Sequence, residues 1–206
     1  MMPSPPEHNR QDVSPPFTVT SSTRNPSLHF LLARDSALAN RFVFDIRRTP
    51  REVIPRNVYE GYGNLWAMRS RPLHVRIVSH EFPWVIDIKA EEAPEGERGL
   101  TCGDVWNKIH EALLEPLQDS DWAHLVDIAA TQEHKSQSRF EHLNNIARRQ
   151  IERREDVILR RIDWLVSRTV FIGLERDEGY RLFQRLVLPG KRRCEETWIA
   201  EFEERE

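Results

Sequence analysis

The sequence predicts an α+β domain: a small, mostly antiparallel sheet packed with about three helices. Three observations carry this. Two short runs rich in Val and Ile, Leu73–Val78 and Trp84–Ile88, flank Ser79-His80-Glu81-Phe82-Pro83 and read as a hairpin with a longer turn. Thr101, with Asp104 three residues on, opens an apolar-periodic run and so reads as a capped helix start. Downstream of about residue 160 the apolar period returns from that of a helix to that of a strand.

In chain order, residues 1–26 come first and hold six of the 13 prolines among many Ser, Thr and Asn. Such a segment has too little apolar surface to offset its chain entropy, so we expect a disordered tail. Its Ser4-Pro5 and Ser14-Pro15 steps fit proline-directed phosphorylation, a dipeptide pattern too common to weigh. Residues 27–190 read as a single domain, and 191–206 as an acidic C-terminal segment.

Within the domain, Leu28–Leu32 is a short apolar patch. Arg41–Arg47 alternates, with Phe42, Phe44 and Ile46 on one face and Val43 and Asp45 on the other, and is expected as a strand. Residues 50–70 read as irregular, broken by Pro50, Pro55, Gly61 and Gly63. The helix after Thr101 turns Val105, Trp106, Ile109, Ala112 and Leu113 one way and Asn107, Lys108 and Glu111 the other; Pro116 ends it. A second helix, capped by Asp119 or Ser120, carries Trp122, Leu125, Val126 and Ala129. A third spans about 137–156, with Phe140, Leu143, Ala147 and Ile151 on one side. Arg161–Val166 alternates and is expected as a strand, with Val170–Ile172 continuing it and Arg181–Leu188 as another. Residues Glu195–Glu206 hold six Glu against one Arg; Trp198, Ile199 and Phe202 predict that this stretch docks as a short helix.

These phrases in this order resemble a known family. Phe44-Asp45-Ile46-Arg47, Arg76-Ile77-Val78-Ser79 leading to Pro83-Trp84, the capped helix at Thr101, and Asp163-Trp164-Leu165 ahead of Phe171–Leu174 are similar to an uncharacterised domain of unknown function (6699) found as large paralogous sets in mushroom-forming fungi. The resemblance covers roughly Leu28–Leu188, rests on apolar structural motifs, and implies the fold without any catalytic residue. A looser architectural likeness is to the β-grasp arrangement of ubiquitin-like domains, in which a hairpin is followed by a helix crossing the sheet and then by further strands. Here the strands near 161–166 and 181–188 would complete it, with the second and third helices as insertions. Such a likeness speaks to fold alone.

Chemistry-bearing motifs are scarce. A net charge of -3 over 206 residues gives no whole-chain attraction to nucleic acid or to an anionic membrane. No leader with an apolar core opens the sequence, and no apolar stretch approaches the ~20 residues of a membrane span, so an intracellular protein, cytoplasmic or nuclear, is expected. Cys102 and Cys194 read as two reduced thiols. Cys102, at a helix start and two turns from His110, would be a nucleophile only if its pKa were lowered there. The eight histidines include His134 and His142 beside Glu133 and Glu141, but no metal-ligand spacing. Gly61-Tyr62-Gly63 is a lone pair of glycines, not a phosphate loop. The sequence therefore implies no catalytic, metal-ligating or cofactor-binding residue and no cofactor.

The most distinctive surface feature is Arg148, Arg149, Arg153 and Arg154, with Arg160 and Arg161 beyond. Glu152, Glu155 and Asp156 lie between, at spacings that suit i,i+3 and i,i+4 ion pairs on a solvated helix face. Read functionally, the cluster fits an acidic protein surface as partner, with the chain's own Glu-rich C-terminus as an internal candidate. Nucleic acid is disfavoured because acids interrupt the run and no aromatic residues are interleaved for stacking. Trp66, in the irregular stretch, is the tryptophan that stands out as a candidate for exposure and so for an interface anchor, with a covered ring the safer expectation. The leading expectation is a non-enzymatic interaction module. The alternative is a small enzyme or ligand-binding protein with a site built from dispersed residues.

Overall fold

A computed structural model describes residues 27–34, 43–90, 99–131, 133–153, 155–176, 194 and 196–204. The first strand, β1 (Phe44–Asp45), is shorter than expected. Phe44 and Ile46 are buried and Val43 is exposed, as alternation requires, but Asp45 is buried too. Its carboxylate is not orphaned: it accepts from the Arg47 backbone N–H at 3.1 Å and from the Arg47 guanidinium at 2.7 Å.

Residues 50–70, expected as irregular, contain two short helices, α1 (Pro50–Val53) and α2 (Arg56–Tyr62). The prolines that read as breakers stand at helix starts, Pro50 at the first position of α1 and Pro55 capping α2, where a missing N–H removes no helical bond. The hairpin follows as expected, with β2 (His74–Val78) antiparallel to β3 (Ile86–Lys89) in a register that pairs Val75 with Ile88 and Ile77 with Ile86.

Helix α3 (Cys102–Leu114) starts where the sequence placed it. The Thr101 hydroxyl accepts from the Asp104 N–H at 3.2 Å, and the Asp104 carboxylate accepts from the Thr101 N–H at 2.8 Å. Val105, Trp106, Ile109, Ala112 and Leu113 are buried and Glu111 is exposed. At Gly103 the helix meets the end of α2 so closely that a Cβ would lie 3.0 Å from the Gly63 carbonyl oxygen. Helices α4 (Asp119–Thr131) and α5 (Glu133–Glu152) complete the helical side.

The expected strand at 161–166 is instead a 3-10 helix, Arg161–Leu165. The Asp163 carboxylate accepts from the Arg160 N–H at 2.8 Å and closes the turn, and Ile162, Trp164 and Leu165 are all buried where a strand would have alternated. Strand β4 (Val170–Glu175) follows. Gly173 has φ +137, and a Cβ there would meet the Arg34 backbone N at 2.6 Å, because residues 32–34 run against this strand. The expected strand at 181–188 lies outside the described residues, as does the expected tail 1–26.

The expected C-terminal docked helix is a strand, β5 (Thr197–Glu203). It lies in the middle of the five-stranded sheet, whose order is β1-β4-β5-β2-β3, antiparallel to β4 and parallel to β2. Trp198, Ile199 and Ala200 are consecutive and fully buried, so this strand is covered on both faces as well as paired on both edges. The sheet is mostly antiparallel, with the single parallel pair at its centre. Hairpin, crossing helix and a last strand parallel to the first of the hairpin are the β-grasp order, carried by 170–175 and 197–203 rather than by the segments expected. Aromatic rings cross the sheet in sequence: Phe44 to Phe171 at 5.8 Å, Phe171 to Phe202 at 5.8 Å, Phe202 to Phe82 at 5.9 Å and Phe82 to Trp84 at 5.2 Å.

Candidate functional site

Of the arginines singled out in the sequence, Arg148 and Arg149 stand on the C-terminal half of α5 and Arg153 directly follows it. The helix buries an arc centred on Leu143, which is 1% exposed. Beside it, Phe140 packs edge-on against Trp164 (5.3 Å) and is stacked on Trp122 (6.3 Å). Ile151 was expected on this arc but is 63% exposed. Eight residues beyond Leu143 it lies about 80° further round the helix, and Gln150 takes the inward position instead. The Gln150 side chain donates to the Ile158 carbonyl and accepts from the Ile158 N–H, both at 3.1 Å. That bidentate clasp holds the extended chain after the helix against α5. Further along, the Leu159 carbonyl accepts from Leu117 N–H at 2.8 Å and the Arg161 N–H donates to the Glu115 carbonyl at 3.0 Å. Fixed in this way, Val157 and Ile158 stay exposed, as does Ile151.

Arg148, Arg149 and Arg153, in the same stretch of chain, are exposed too; Arg154 lies outside the described residues. The i,i+3 and i,i+4 pairs expected of a salt-bridged face are not there: among the described residues no ion pair joins Arg148, Arg149 or Arg153 to Glu152, Glu155 or Asp156. Among the described residues, the C-terminal acids do not pair with them either. Glu196 pairs with Arg176 at 3.1 Å, and β5 carries Glu201 and Glu203 into the sheet. Arg161 is the exception in the cluster, consumed by Asp121 (2.9 Å) and Glu115 (2.5 Å) while its guanidinium stands 5.7 Å from the Trp84 ring.

Trp66, the candidate for exposure, is half-buried. It bridges to Thr101, the Arg71 guanidinium lies 4.9 Å over its ring, and Gly99 packs so close that a Cβ there would touch the indole at 3.0 Å. Its described contacts are with these residues, not with α5.

The other candidates resolve into structural roles. Burial pushes the Cys102 thiol up to about 12, with the Asp104 carboxylate adding to the effect, so the helix start does not make a nucleophile of it. Cys194 is buried as well, and both cysteines are free thiols. His110 donates its Nδ1–H to the Ile46 carbonyl at 2.8 Å and ties α3 to the end of β1. His74 and Arg76 both engage Asp87, at 2.9 and 2.8 Å. The side chain of His134 lies outside the described residues, and among the described residues no group of three or more His, Cys, Asp or Glu converges on a metal position. A polar cavity of about 240 Å³ opens between α1, α2 and the start of α3, lined by Arg51, Tyr59, Asn64, Asp104 and Asn107 among others. Tyr59 Oη and the Asn107 amide pair with each other across it, 3.1 Å apart. No described helix is long and apolar enough to cross a membrane.

Residues 42–180, two thirds of the chain, match the model of a family of unknown function (DUF6699). The chain belongs to that family. The match spans β1 through β4 and includes the whole of α5 with its exposed arginines, while β5, the central strand, lies beyond it. No curated protein and no solved structure matches the chain. Sequence reasoning missed Ile151, Val157 and Ile158 as surface residues. The available signal was Gln150, a polar residue on the inward arc, which marks where the helix leaves the core.

Proposed function

We propose that this chain is a non-enzymatic, intracellular protein-interaction module that docks an acidic segment of a partner on the C-terminal half of α5. One observation carries the reading: three exposed guanidinium groups, none in an ion pair among the described residues, in the same stretch of chain as the exposed Ile151, Val157 and Ile158, with Ile158 clasped to the helix by Gln150. Apolar contact supplies affinity, and the arginines select for carboxylates at its rim. From 148 to 156 four arginines stand against three acids, so an acidic partner is steered to this end of the domain. The test is co-purification of the tagged chain from its native lysate after nuclease treatment, against Arg148→Glu/Arg149→Glu and Ile151→Asp variants. A stoichiometric protein lost in both variants supports the module; a partner retained by both, or none at all, sinks it.

A second reading, ligand binding by dispersed residues, is favoured only by the polar cavity beside α3. Metabolite screening by thermal shift, repeated with Asn107→Leu, tests it: a ligand whose shift disappears in that variant supports it.

A further inference from the structure

Among the described residues the sheet has an open edge at β3, and its hydrogen-bonding pattern says which residues line it. Ala90 N–H donates to the Leu73 carbonyl at 2.9 Å, so Leu73/Ala90 is a bonded pair. In an antiparallel ladder bonded and non-bonded pairs alternate. Val75/Ile88 and Ile77/Ile86 are therefore bonded, while His74/Lys89 and Arg76/Asp87 are not. The other side of β2 agrees, since Arg76 turns its N–H away from β3 to the Glu196 carbonyl at 2.9 Å. The backbone N–H and C=O of Asp87 and Lys89 thus point outward from the last strand of the sheet, and among the described residues nothing pairs with them. The opposite edge, β1, has only two residues and offers no comparable template.

The side chains set the chemistry of what fits. Ile86 and Ile88 are buried on the face where α3 packs, while Asp87 and Lys89 stand on the other. An added strand would place alternate apolar residues beside the isoleucines and polar ones beside Asp87 and Lys89. The Asp87 carboxylate is already occupied by Arg76 and His74. Lys89 is exposed, with no ion pair among the described residues, and asks for an acid opposite it.

We propose that the outer edge of β3 takes up an extended partner segment, alternating apolar and polar with an acidic residue facing Lys89, as a sixth strand. This is strand addition, in which main-chain bonds supply affinity and alternate side chains supply register. It does not depend on the α5 surface.

The experiment uses the full chain, isotope-labelled, with a synthetic peptide of about ten residues alternating valine with threonine and one central glutamate. Without peptide, the Asp87 and Lys89 amides should exchange rapidly with solvent while those of Ile86 and Ile88 are protected. With peptide, the Asp87 and Lys89 amides should shift and gain protection. Lys89→Pro removes one outward donor and leaves every β2–β3 bond in place, so binding should weaken at least about tenfold with the fold unchanged. Lys89→Glu should weaken binding while glutamate stays in the peptide and recover when lysine replaces it. The proposal is overturned by protection of Asp87 and Lys89 in the free chain, by concentration-dependent protection (which would make the occupant a second copy), by no shift with peptide, or by equal binding to Lys89→Pro.

Discussion

The indole N–H of Trp164 donates to the backbone carbonyl of Glu81, 3.0 Å away and 83 positions earlier in the chain. The same carbonyl accepts from Arg139 at 2.6 Å, and the Glu81 carboxylate takes charge-assisted bonds from both Arg139 and Arg168. Arg139 in turn lies 5.3 Å over the Trp164 ring. One loop residue thus joins the hairpin to α5, to the 3-10 helix and to the start of β4. Glu81→Ala strands the largely buried Arg139 guanidinium without its counter-ion. Removing one partner of such a pair is expected to cost about 3 kcal/mol, read as a fall in the urea midpoint; a change under about 0.5 kcal/mol would refute the role.

Two positions on α5 separate core from surface. Leu143→Ala opens a cavity under the helix and is expected to cost about 3 kcal/mol. Ile151→Asp, two turns on, should leave stability within about 0.5 kcal/mol of the parent. Equal losses in thermal denaturation would mean that Ile151 is covered.

Both thiols are held protonated and out of reach, Cys102 up to about 12 and Cys194 raised by burial. Thiol titration of the native chain near neutral pH should therefore find essentially no reactive cysteine, and two after unfolding in urea. Rapid modification of Cys102 in the native chain would contradict its burial.

Two carboxylates give opposite pH signatures. Burial alone would raise the Asp87 pKa, but the hydrogen bonds from Arg76 and then His74 outweigh it and hold the carboxyl below its usual range. Its contribution is complete above the unfolded-state pKa and is lost as pH falls through the folded one, below about pH 4. At Glu201, burial first and the Glu175 charge second raise the pKa. That unfavourable term is present above the folded pKa and relieved as pH falls through it. Asp87→Asn should therefore destabilise at neutral pH, with the gap to the parent closing in acid. Glu201→Gln should stabilise at neutral pH, with its advantage fading in acid. Urea midpoints between about pH 3 and 7 would show both, and parallel curves would refute both.

Local signals were sufficient where a feature depends on neighbours in the chain. The alternation of Val75, Ile77, Ile86 and Ile88, the Thr101–Asp104 cap and the spacing from Val105 to Leu113 define hairpin and helix by themselves, because strand pairing across one turn and helix capping are short-range. They failed where a long-range partner chose between forms. Asp163 reads as the polar residue of an alternating strand until its carboxylate closes a turn on Arg160. Thr197–Glu203 has apolar spacing open to helix or strand, and only the slot between β4 and β2, with ladders on both sides, makes it a strand. The arginines at the end of α5 were visible from sequence, but that no ion pair holds them among the described residues was not, since i,i+4 spacing permits a salt bridge without enforcing one. The sequence by itself determined the class of the fold, its nucleating hairpin and helix, and the scarcity of chemistry. The tertiary structure alone decided which strand became central, which edge stayed open among the described residues and which apolar residues remained at the surface, because each depends on contacts between segments that the chain brings together only when it is folded.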